Sequence, residues 1–83
     1  MQQRVVITDP DEQLLIKEIT AFAFKSPKKR HGFDVDDCIF HLAMEKIRAD
    51  ASVVKLALSM MVNQGILEQS YSLERGKTIY RLR

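Results

Sequence analysis

Cys38 and His41 stand three residues apart, and Glu45 lies four beyond His41, a spacing that lines a thiol, an imidazole and a carboxylate along one side of a helix. Such a trio could ligate a metal ion or serve a nucleophile. A structural zinc site, however, draws on several Cys and His ligands, and Cys38 is the single cysteine of the chain. It falls among apolar residues at helical spacing, where a free thiol packs as a small hydrophobe, while His41 and Glu45 suit an exposed helix pair. Asp34, Asp36 and Asp37 crowd three carboxylates into four positions. They lack the alternating oxygen ligands and distal glutamate of a calcium loop, and a helix start, where carboxylates favour the positive end of the dipole, accounts for them. The sequence holds no phosphate-binding glycine loop, zinc-protease His pair or serine elbow, and it has only three glycines with which to build one. No enzyme activity, metal or cofactor is expected.

The remaining chemistry is positive charge. Lys25, Lys28, Lys29 and Arg30, followed by His31, form one basic cluster; Arg75, Lys77, Arg81 and Arg83 form another. Two such clusters could flank a duplex and bind its phosphates, or they could be solvated loops that charge keeps soluble. His31 would add a pH-dependent charge to the first. The whole chain is only mildly basic: 83 residues, Lys plus Arg 13 against Asp plus Glu 11, net +2, 46% hydrophobic and 29% charged. That is the composition and size of one globular domain, neither a solvated tail nor a membrane protein. The longest uncharged stretch, Leu56 to Leu67, falls well short of the roughly 20 apolar residues that span a bilayer. Met1-Gln2-Gln3-Arg4 is not followed by the apolar run of a secretory leader, so a cytoplasmic protein is expected. A small core without disulfide or metal favours a stabilising partner or a homodimer.

Three helices and a hairpin must position these charges. Thr8-Asp9-Pro10-Asp11-Glu12 opens the first, with Asp9 as cap and Glu12 completing a capping box. Leu15, Ile19, Phe22 and Ala23 mark its buried stripe, and it should end near Phe24, with Phe22 and Phe24 in the core. A loop from Lys25 to Gly32 follows. Asp34 then caps a second helix whose core face is Val35, Cys38, Ile39, Leu42 and Ile47, a span of about four turns. Asp50 or Ser52 caps the third, which runs to a glycine stop at Gly65. Met44, Met60 and Met61 are expected mostly as core filling, with Met60 leaning toward an interface. After Gly65 the apolar period becomes alternating, over Ile66 to Leu73 and again over Thr78 to Leu82. A two-residue turn at Arg75-Gly76 would set Tyr71 opposite Tyr80, Ser70 opposite Arg81 and Glu68 opposite Arg83, with both tyrosines on the face packed against the helices. Residues 1–8 are an arm or edge strand; residues 9–83 form one α+β domain.

The run from Ser52 to Glu68, with its polar start, apolar residues four and then three apart and Gly65-Ile66-Leu67-Glu68 exit, resembles the recognition helix of small bacterial winged-helix regulators. Ser70 to Arg83 is similar to their wing. The resemblance implies a three-helix winged helix-turn-helix with a C-terminal β-hairpin wing, and a transcription regulator that binds double-stranded DNA. It implies that the third helix enters the major groove with Val54, Leu58 and Met61 toward the core, and Ser52, Lys55 and Ser59 near base edges. Arg75 and Lys77 at the wing tip, and Lys28, Lys29 and Arg30 in the first loop, would hold phosphates. The sequence departs from that family in its third helix and in its second. Its third helix offers a single Lys where base reading favours Arg, Lys, Asn or Gln, and Val53, Leu56 and Met60 add a second apolar stripe. The stripe supports an alternative: a winged-helix protein-protein interaction module whose interface is Val53, Leu56 and Met60. The second helix is also longer than in compact members of that family.

Overall fold

The structure is a computed structural model that describes residue 7, residues 9–25 and residues 32–83. Three helices, α1 (Glu12–Lys25), α2 (Val35–Met44) and α3 (Ala51–Asn63), are followed by an antiparallel hairpin of β1 (Leu67–Ser72) and β2 (Lys77–Leu82). This is the layout of a three-helix winged helix-turn-helix with a C-terminal wing. Leu15 and Ile19 of α1, Cys38 and Leu42 of α2, and Val54, Leu58 and Met61 of α3 meet in a fully buried core. Leu67 and Tyr80 close it from the hairpin.

Caps decide where the helices begin and end, and two differ from expectation. In α1 the capping side chain is Asp11, whose Oδ1 accepts the Leu14 N–H at 2.8 Å, so Asp9 and Pro10 precede the helix. At α2 the expected cap holds: Asp34 Oδ1 accepts the Asp37 N–H and Asp37 Oδ2 accepts the Asp34 N–H, a reciprocal capping box. This helix is ten residues long and stops at Met44, short of Ile47. Lys46 takes a left-handed φ of 63°, its N–H bonds to the Ala43 carbonyl, and the Ile47 N–H returns to the Leu42 carbonyl. That is a Schellman termination in which Ile47 is turned into the core beside Leu42. Ile47 is then free to pair with Ile7 in a parallel bridge, where Ile7 donates to Lys46 O and accepts from Arg48 N. The expected excess length of the second helix is therefore absent. Asp50 precedes α3, without a side-chain capping bond, and Gly65 ends it with the same Schellman pattern.

The hairpin register also differs. Glu68 faces Arg81, Gln69 faces Tyr80, Tyr71 faces Thr78 and Ser72 faces Lys77, leaving a four-residue loop, 73–76. Ser72 closes that loop twice, its carbonyl accepting the Gly76 N–H at 2.8 Å and its Oγ the Arg75 N–H at 3.2 Å. Glu68 and Arg81, directly opposed, form a 2.6 Å ion pair. A shift of two residues leaves each side chain on its expected face, but Tyr71 no longer opposes Tyr80 and is exposed while Tyr80 is buried.

Three further side chains lie elsewhere than expected. Phe24 and Met44 are exposed, not core. His41 turns away from Glu45 toward α1, stacking on Phe22 at 4.9 Å with its Nε2 3.8 Å from Glu18 Oε1. Phe22 in turn meets Phe33 edge-on, which ties α1 to the segment before α2. No helix among the described residues is long and apolar enough to cross a membrane.

Candidate nucleic-acid interface

The wing is sutured to the start of α2. Phe33 and Tyr80 exchange two backbone hydrogen bonds of 2.7 Å each, an isolated antiparallel bridge that ties the segment ahead of α2 to β2. Gly32, at φ +84°, makes that approach possible: a Cβ there would lie 3.1 Å from Ile79 Cδ1 and 3.2 Å from the Tyr80 carbonyl oxygen. Gly32 and Phe33 are both buried.

Side chains add a second attachment one residue later. While Asp34 Oδ1 caps α2, its Oδ2 lies 3.1 Å from Lys77 Nζ and 3.8 Å from Arg75 Nη2. Arg75 also reaches Asp37 at 3.9 Å, and Lys77 reaches Asp36 at 3.7 Å. Burial pushes the Asp34 carboxyl up, but the Asp37 N–H, the Lys77 ammonium and the Arg75 guanidinium together outweigh it and hold the group below its ordinary 3.8. Lys77 moves the other way: the hydrogen bond and charge of Asp34, with Asp36 behind it, raise its ammonium above the ordinary 10.5. The three aspartates, explained from sequence as helix-start residues, are thus also the partners of the wing cations. A signal for this existed, since an acidic cluster and a basic tip of similar charge occur in one small domain.

In front of α3 an open groove of about 590 Å³ runs between this attachment and the helix. Lys55 and Ser59 line it from α3, Gln69, Lys77 and Thr78 from the wing, and Asp34 and Asp36 from the start of α2. The spacing of α3 brings Lys55 and Ser59 to one edge of its exposed side, while Ser52 is exposed but outside the groove. Gln69 and Thr78 were not anticipated; strand alternation puts each on the face shared with Tyr80, Gln69 directly opposite it and Thr78 two residues before it. Lys28, Lys29 and Arg30, with His31, lie outside the described residues.

The apolar stripe of α3 is spatially separate. Val53 borders a second groove of about 520 Å³, with Ile39 and Ala43 of α2 and Ile47. Leu56 is 55% exposed, and Met60 is half-buried. Sequence alone offered these residues and the polar ones as rival uses of one helix face; in the fold they occupy different edges of α3. Cys38 lies in the core, where burial, followed by the Asp37 and Asp34 carboxylates, pushes its thiol up to about 12. Such a thiol is neither a nucleophile nor a ready metal ligand at neutral pH. Among the described residues no group of three or more His, Cys, Asp or Glu could hold a metal ion. No known family model matches the chain, and no curated protein matches it. The functional reading therefore rests on geometry.

Proposed function

We propose that the domain is a winged-helix DNA-binding protein of the regulator kind, with α3 in the major groove and the wing on the flanking backbone. The observation that carries this reading is the shared groove, in which Lys55 and Ser59 of α3 face Gln69, Lys77 and Thr78 of the wing. Donors of this type on a protruding helix suit base edges, and cations beside them suit phosphates. A single Lys on the helix gives limited base discrimination, so a regulator built this way would act as a homodimer or beside a second protein.

One observation favours a second reading, recognition of a protein partner: Leu56 stands exposed at the middle of α3 with Val53 one turn away. Because the two sets lie on different edges, they separate in mutants. Fluorescence-anisotropy titration of a labelled mixed-sequence duplex should give weaker binding for Lys55→Ala and for Lys77→Ala, and near-unchanged binding for Leu56→Asp. No duplex binding by the wild type even at low salt, together with a change of oligomeric state in light scattering for Leu56→Asp, would transfer the function to the apolar edge.

A further inference from the structure

The cations best placed to hold phosphate already have anionic partners. Lys77 lies within 3.1 Å of Asp34 and 3.7 Å of Asp36, and Arg75 within 3.9 Å of both Asp34 and Asp37. These carboxylate oxygens occupy positions around the two cations that the oxygens of a phosphate would have to take. We infer that the carboxylates at the start of α2 are an internal competitor for the wing cations, so that a duplex binds the wing only by displacing Asp34 and Asp36 from Lys77 and Asp34 and Asp37 from Arg75. The inference deepens the DNA-binding reading above and rests on it.

Three features make this an exchange of partners and not a collapse of the wing. The base of the hairpin is held independently by the Phe33–Tyr80 backbone pair, so the side chains can let go while the strands stay in place. Asp34 keeps its cap through Oδ1 when Oδ2 is vacated. Lys77 and Arg75 are each about two-fifths exposed, so phosphate has access to both, and the Lys77–Asp36 pair, with Asp36 82% exposed, is of the weak, salt-screened type that an incoming polyanion can replace; Asp34, its side chain only 6% exposed, is the firmer competitor. The competition lowers nonspecific affinity, because each cation must give up one anionic partner to gain another. It also favours a duplex that α3 can engage at the same time over one that offers phosphates alone.

The test is a double-mutant cycle on the full chain with a labelled mixed-sequence duplex at low salt, comparing wild type, Asp36→Asn, Lys77→Gln and the double variant. Asp34→Asn serves as a second release variant, since Asn caps a helix as well as Asp; far-UV circular dichroism verifies folding of each. Asp36→Asn should tighten binding roughly two- to fivefold, the range of an exposed ion pair, and Asp34→Asn, which releases Lys77 from a buried carboxylate at 3.1 Å, should tighten it at least as much. The gain from Asp36→Asn should shrink to less than half in the Lys77→Gln background. An equal gain in both backgrounds would mean plain repulsion of the duplex by Asp36 and would overturn the competition. If wild type binds and Lys77→Gln weakens it while both aspartate variants change nothing, the competition falls and the DNA reading stands. If no variant binds even at low salt, the DNA reading falls and the competition with it.

Discussion

Replacing Gly32 by Ala strikes the contact that fixes the wing, and the structure sets its size. Any Cβ at φ +84° carries the left-handed cost of about 1–2 kcal/mol. This Cβ also meets Ile79 Cδ1 at 3.1 Å and the Tyr80 carbonyl oxygen at 3.2 Å. The Ile79 side chain can rotate away, but the carbonyl is pinned by its 2.7 Å bond to the Phe33 N–H, so relief requires stretching that pair. Overpacking of this kind adds about 1–3 kcal/mol, for a total of about 2–5 kcal/mol. Gly65→Ala is the matched control: it is also left-handed, at φ +78°, but its Cβ would meet nothing nearer than Arg83 Nη1 at 3.8 Å. It should lose only the left-handed cost, about 1–2 kcal/mol. Urea unfolding followed by far-UV circular dichroism compares the two, with unchanged m-values certifying a common mechanism. For a domain whose total stability is on the order of 4–12 kcal/mol, the difference is easily resolved. A Gly32→Ala loss no larger than that of Gly65→Ala would refute the view that the wing is held at a closely packed backbone contact.

Lys46 occupies in α2 the left-handed position that Gly65 occupies in α3. Lys46→Gly should therefore stabilise the domain by about 1 kcal/mol, seen as a higher urea midpoint. Cys38, buried and with its thiol at about 12, should resist alkylation at neutral pH in the native state and react fully once the chain is unfolded in urea. Asp34, whose carboxyl is held below 3.8 when folded, contributes stability that is complete above the unfolded value and is lost as pH falls through the folded one. Wild-type stability should thus fall more steeply than that of Asp34→Asn as pH drops below about 4, in parallel urea titrations.

Element order and the α3 core face were legible because they follow from period and caps: Val54, Leu58 and Met61 recur at helical spacing, and Gly65 ends the run. What escaped was set by tertiary contacts. The end of α2 depends on a lysine in a left-handed conformation, which no local rule favours, and on Ile7 arriving to pair with Ile47. The hairpin register is not legible locally, because Arg75-Gly76 resembles a two-residue turn whereas Ser72 closes a longer loop. Lys55, Ser59, Arg75 and Lys77 were identifiable as charged or polar groups on the expected face. Their partners were not, because Asp34 is separated from Lys77 by the whole of α2, α3 and β1, and they meet through tertiary packing that includes the Phe33–Tyr80 backbone pair.

The most direct test of a duplex-binding groove is the salt dependence of wild-type affinity for a labelled duplex, measured beside that of Lys55→Ala. Counterion release gives a log–log slope of about −0.9 per phosphate neutralised, so Lys55, Arg75 and Lys77 together should give a slope of about −3 or steeper. Removing Lys55 should make it shallower by about 1. A slope near zero, or one indifferent to Lys55, would contradict placement of the duplex between α3 and the wing.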